Sequence, residues 1–204
     1  MDKVKFNIKN VHVAPMEEDG VNPKWGEIIK IPGAVTFALD PQGELTPFYA
    51  DGVVYYQSQA NNGYTGDLEV ASFPAAFLKA IYQILEGESS KVLTENSNKE
   101  IKPFAMMFEE DGDVSGTKFV LYNCMATRPK RSFNTNTNTK TPQTQTISVT
   151  ASPLENGSVM AMTQEDTPKD VVDNWYKNVF VEGATNTTSQ STENEASGEQ
   201  TGTE

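Results

Sequence analysis

From residue 4 to residue 162 the chain repeatedly alternates apolar and polar positions, the two-residue period of a half-buried β-strand. Val4, Phe6 and Ile8 share one parity, and Val11-His-Val continues the strand after Asn10. The stretch 15–25 is acidic, holds Gly20 and Pro23, and reads as a loop. A short strand over 28–31 is followed, after Pro32-Gly33, by one over 34–39 that sets Val35, Phe37 and Leu39 on one face. Asp40-Pro-Gln-Gly signals a turn, because proline presets φ and glycine accepts a positive one. Segments 46–49 and 53–57 then read as the returning strand. Asn61-Asn-Gly marks the next turn, and 64–71 runs as a strand through Leu68 and Val70.

The period changes at Ser72. Phe77, Leu78, Ile81, Ile84 and Leu85 follow helical spacing, with Pro74 suited to the first turn and Gly87 to the exit, so 74–85 is predicted as the main helix, docked on a sheet. Period two returns at Phe104, Met106 and Phe108. An acidic turn over 109–116 leads into a partner strand over 118–126. Residues 128–144 contain Phe133 among Thr, Asn, Pro and basic side chains, the composition of an exposed loop. Ile147 and Val149 resume the alternation over 146–151, and Asn156-Gly is a hairpin-type turn before 159–162. Thr167-Pro-Lys-Asp reads as the start of a short helix with Val171, Val172, Trp175 and Val179 on one stripe. Beyond Glu182 the residues are almost all polar, too few apolar groups to offset chain entropy, so the expected division is a folded unit over 1–182 and a disordered acidic tail over 183–204. About eight to ten short strands, one main helix and one small terminal helix define a mainly β chain, a sandwich or closed barrel with a flanking helix.

Charge narrows the function. The 204 residues carry a net −12; Glu193, Glu195, Glu199 and Glu204, with no base among them, account for −4, leaving −8 on the body. Phosphate backbones are bound by displacing counterions with Lys and Arg, so a chain this acidic is a poor ligand for nucleic acid, able to face DNA without gripping it. The N-terminal residues show no apolar signal region, and no apolar run approaches the ~20 residues that span a membrane. Cys124 stands alone, which fits a reducing compartment without disulfides.

Catalytic equipment is sparse. Phosphate loops, paired metal-ligand motifs and nucleophile elbows are missing, and nothing pairs two carboxylates for acid–base work, so neither enzyme activity nor a cofactor is expected. His12 reads as a hydrogen-bonded strand residue. Cys124 reads as a small core hydrophobe, since a reactive thiol needs an accessible electropositive setting. Glu109-Glu-Asp-Gly-Asp resembles part of a calcium loop but lacks its spacing and its closing Glu, and reads as a solvated turn. The basic residues Arg128, Lys130 and Arg131, with Lys140 and Phe133 in the same loop, are candidates for meeting an acidic face on a neighbouring copy. Trp25 and Trp175 read either as core or, with Tyr176, as candidates for contacts between subunits, because aromatic anchors dominate such interfaces.

Particular strings add to this. Asn10-Val-His-Val-Ala-Pro, Ile31-Pro-Gly-Ala-Val-Thr-Phe-Ala-Leu-Asp, Pro47-Phe-Tyr-Ala-Asp-Gly and Asn62-Gly-Tyr-Thr-Gly-Asp-Leu-Glu-Val-Ala occur in order. Leu121-Tyr-Asn-Cys-Met-Ala-Thr-Arg-Pro, Thr141-Pro-Gln-Thr-Gln-Thr-Ile-Ser-Val-Thr-Ala and Asp173-Asn-Trp-Tyr follow. Together, over roughly residues 4–180, they resemble the major tail protein (tail tube protein) family of long, non-contractile-tailed bacteriophages, the siphophages, of Gram-positive hosts. The resemblance implies a tail-tube-type β-sandwich or barrel whose copies close into hexameric rings that stack as the tail tube. Its implied partners are other copies of itself, a tape-measure protein in the lumen, tail terminator and distal tail proteins, and DNA as passing cargo; no membrane is implied. The implied place is the virion, after assembly in the host cytoplasm. Two other readings stand beside it: another tube or ring part, such as a tail terminator or a secretion-system tube protein, and a β-sandwich carbohydrate-binding module.

Overall fold

The computed structural model describes residues 7–20, 23–111, 116–135 and 142–183. Lys140, the start of the first strand at Val4 and the stretch 184–204 lie outside them. The strands are β1 (Asn7–Glu18), β2 (Lys24–Trp25), β3 (Ile29–Lys30), β4 (Ala34–Gln42), β5 (Leu45–Ala50), β6 (Val53–Gln59) and β7 (Gly63–Val70). Helix α1 (Ala75–Ile81) follows, then β8 (Leu85–Glu86), β9 (Leu93–Thr94), β10 (Phe104–Asp111), β11 (Thr117–Ala126), β12 (Gln145–Ser152), β13 (Met160–Met162) and helix α2 (Lys169–Asn174).

One nine-stranded sheet runs β2-β1-β10-β11-β12-β7-β4, with β3 added to β1 and β13 added to β11. Every pairing in it is antiparallel. Alternation places Val11, Val13, Phe104, Met106, Phe108, Leu121, Cys124, Ile147, Val149, Leu68 and Val70 on the face that packs one core. Phe37 of β4 meets Phe108 of β10 edge-on at 5.3 Å, although three strands separate β4 from β10 in the sheet. Strands so far apart in order touch only because the sheet curls on itself. The result is a barrel left open where β4 faces β1, which satisfies the mainly β expectation.

Helix α1 plugs this barrel with Phe77, Leu78 and Ile81. It is shorter than the predicted 74–85. Pro74 caps it from an extended conformation, and the chain turns away at Gln83, whose φ is +51°. Leu85 then leaves the helical stripe and enters β8.

β10 is buried on both faces. Ala105 and Met107 point away from the first core into a second, shared with Met16, Val120, Tyr122, Leu154 and Trp175, with Val171, Val179 and Phe180 packed against it. The segment from α2 onward is thus the cover of the sheet's outer face. Thr167 does not cap α2: its Oγ1 accepts the Gln164 N–H at 2.8 Å, and Pro168 stands at the N-cap without a side-chain bond.

Three further expectations change. Asp40-Pro-Gln lies inside β4 and is not a turn; proline is tolerated there because β4 is an edge strand, paired on one side only among the described residues. Strands β5 and β6 do not return along β4 but pair with each other as a separate hairpin. Asn156-Gly does turn the chain between β12 and β13, with the Leu154 N–H donated to the Ser158 carbonyl at 2.9 Å, but the two strands do not pair as a hairpin, since both lie along the same edge of β11, β12 at Asn123–Ala126 and β13 at Phe119–Leu121.

Candidate assembly surfaces

The feature that departs most from a self-contained domain is the β5–β6 hairpin. Its register pairs Leu45 with Gln59, Phe48 with Tyr56, Tyr49 with Val54 and Ala50 with Val53, with a bulge between Phe48 and Tyr49. Every residue of β6 is exposed, and so is every residue of β5 except Ala50. Apolar groups stand on both faces. The pairing puts Phe48, Val53 and Tyr56 on one side and Leu45, Tyr49 and Val54 on the other, and Tyr55 at the bulge is 74% exposed. A lone two-stranded hairpin is marginal in water, and an apolar patch of this kind marks a contact surface. Backbone hydrogen bonds close its root. Asn62 N–H donates to the Gln42 carbonyl at 2.8 Å, and Ala60 N–H to that of Glu44 at 3.2 Å. Where the chain leaves the hairpin for β7, Gly63 has φ +96°, and a Cβ there would collide with the Ala151 carbonyl.

The residues singled out from sequence fall in three places. Trp175 is 2% exposed and faces its own chain, stacked on Phe180 at 5.3 Å with its indole N–H donated to the Phe119 carbonyl at 3.4 Å. Trp25 is half-buried beside Tyr122 at 6.1 Å, and its indole N–H has no partner among the described residues. Within the single chain Trp175 is thus core, while Trp25 packs only partly against the same cluster. Tyr176 is a hub: its hydroxyl donates to Oε2 of Glu109 at 3.3 Å, its ring lies tilted against His12 at 4.5 Å, and the Lys118 ammonium lies 5.2 Å from its centroid. Burial, then the Glu109 carboxylate, pushes its phenol pKa up.

Around Glu109 the chain builds a polar network. The Asn10 amide donates to Oε2 at 3.0 Å, and Lys9 Nζ sits 3.4 Å from Oε1 and 2.9 Å from Asp111 Oδ1. Asn10 reaches it from a β1 bulge, where its φ is +54°. His12 donates through Nδ1 to the Asn10 carbonyl at 2.7 Å. Burial raises the Cys124 thiol pKa well above its usual value, so it sits in the core as an un-ionised thiol. Among the described residues, no group of three or more His, Cys, Asp or Glu is placed to hold a metal ion, and no helix is long and apolar enough to cross a membrane.

The basic loop lies on the surface. Arg128 is paired with Glu95 of the same chain, while Lys130 and Arg131 are exposed without an acidic partner among the described residues. Lys130 is tied in by its backbone, which bridges to Thr146. Phe133 is 87% exposed. The exposure of the β5–β6 hairpin on both faces has a signal in the sequence. Phe48 with Tyr49, and Val53 through Tyr56, are apolar at both parities, which a strand with one solvated face does not show.

No family model matches the sequence, and no curated protein matches it. Among solved structures, the chain is similar to the tube-terminating cap of the anti-feeding prophage, at 12% identity over 79% of this chain and 93% of that one, TM-score 0.46. It is similar to the sheath/tube terminator of the extracellular contractile injection system PVC in its extended state, at 14% identity over 79% and 99%, TM-score 0.43. It is also similar to a chain of the anti-feeding prophage baseplate, at 10% identity over 77% and 94%, TM-score 0.41.

Proposed function

We propose that this chain is a structural subunit of a phage-type tail, whose copies join into rings that build a tube or close one. The observation that carries this is the exposed apolar hairpin that leaves the end of β4. Phe48, Val53 and Tyr56 on one face and Leu45, Tyr49 and Val54 on the other give each side its own exposed apolar patch, with the aromatic anchors that dominate interface energetics. The edges of the hairpin and of β4 have no strand partner among the described residues, so each offers N–H and C=O groups to a neighbouring copy. A patch that reappears on every copy and docks on a different surface of the next generates rings or filaments. The order of motifs resembling major tail proteins supports the same reading, and the net −12 suits a wall along which DNA slides unbound.

Negative-stain microscopy of the concentrated full chain tests this. Long tubes place the protein in the shaft, whereas discrete rings place it at a tube end. A monomer at every concentration and salt contradicts both. Glycan binding by that monomer would establish the carbohydrate-module reading instead.

A further inference from the structure

The charges of this chain are segregated along its sequence. Between Asp113 and Glu155 there is no acidic residue, and the stretch holds Lys118, Arg128, Lys130, Arg131 and Lys140. The stretch 184–204 is the opposite, with Glu193, Glu195, Glu199 and Glu204 and no base. The fold sets the anchors of these two charges at opposite ends of the barrel. Gly183, from which the acidic stretch departs, lines the same groove as Asn61 and Tyr64, at the start of β7. Lys130 bridges to Thr146, and the neighbouring Gln145 pairs with Val70, at the end of β7. By the rise of a strand, the two ends of β7 are roughly 20 Å apart.

We infer that the acidic stretch 184–204 of one copy docks on Lys130 and Arg131 of the next copy in a head-to-tail stack. This deepens the assembly reading above and rests on it. Stacking copies in one direction brings the Gly183 end of each against the Lys130 end of its neighbour. A chain of this length reaches up to roughly 70 Å, ample for the gap. Lys130 and Arg131 are exposed and lack an acidic partner among the described residues, whereas Arg128 is already engaged by Glu95. The contact is electrostatic at an exposed surface, so it weakens as salt shortens the screening length.

Two full-length variants and their combination test it. One carries Lys130→Glu and Arg131→Glu; the other carries Glu193→Lys, Glu195→Lys and Glu199→Lys; a third chain carries all five changes. Circular dichroism and the thermal midpoint verify that all three fold. Alone, each of the first two sets like charges against like, and the pelletable fraction at low salt is expected to fall by about tenfold. Mixed, the acidic stretch of the first meets the basic patch of its own kind no longer but that of the second, and the lysines of the second meet the glutamates of the first, so assembly returns. Wild-type assembly by both variants alone overturns the inference and leaves the assembly reading intact. Recovery only when all five changes are in one chain, and none on mixing, also overturns it, because the contact is then within one copy. A wild-type protein that never assembles overturns the assembly reading and this inference with it.

Discussion

The Tyr176 hydroxyl donates to Oε2 of Glu109 at 3.3 Å, joining the segment after α2 to β10. Asn10 and Lys9 of β1 meet the same carboxylate, so one buried acid ties together the sheet and the cover of its outer face. Tyr176→Phe removes the bond but keeps the ring against His12. It is expected to cost about 1 kcal/mol of stability, the net worth of such a hydrogen bond, and to speed amide exchange around Trp175 and Phe180. Unchanged exchange there would show that the apolar cover holds without the tie.

Phe77 is the plug of the barrel. It stacks on Phe73 at 5.0 Å and meets Tyr82 and Phe104 edge-on at 5.5 and 6.2 Å. Removing its ring leaves a cavity the surrounding strands cannot fill, so Phe77→Ala should lower unfolding stability by about 3–5 kcal/mol. Chemical denaturation measures it; a loss under about 1 kcal/mol would mean that α1 can be lost without opening the barrel.

His12 gives the fold a pH dependence. Burial lowers its pKa from the ordinary 6.5, the Asn10 carbonyl opposes this, and Lys30 adds to the lowering. Below 6.5 the unfolded chain takes up a proton that the folded chain accepts only at lower pH. The unfolded state therefore binds more protons in that window, and stability falls as the pH drops through it. Denaturation midpoints of His12→Gln should lose this part of the slope. Parallel pH profiles for the variant and the wild type would assign the slope to the carboxylates.

Much of the architecture was readable because two periods dominate the chain. Alternation located the large strands, and the 77–81 stripe located α1. The failures have physical causes. Pro41 signals a turn, yet an edge strand has no use for the missing N–H. Helix α1 ends at a positive φ on Gln83, a residue with no such preference. The amphipathic stripe of Val171, Trp175 and Val179 does not itself say what it packs on, and here it faces the chain's own second core. The Glu109 network joins residues as distant as Lys9 and Tyr176, and no local pattern announces it. The hairpin was legible as two strands, but its isolation from β4 depends on where the chain leaves Gly43, which periodicity does not specify.

The most direct test of the account is sedimentation velocity on the full chain beside the variant Phe48→Ser/Tyr56→Ser. These exposed side chains contribute to the monomer within about 0.5 kcal/mol each, so the variant should keep its fold and thermal midpoint. The account predicts that the wild type sediments as large assemblies that grow with concentration, while the variant remains a 22.4 kDa monomer. Assemblies of equal size from both proteins would show that the hairpin does not join the copies.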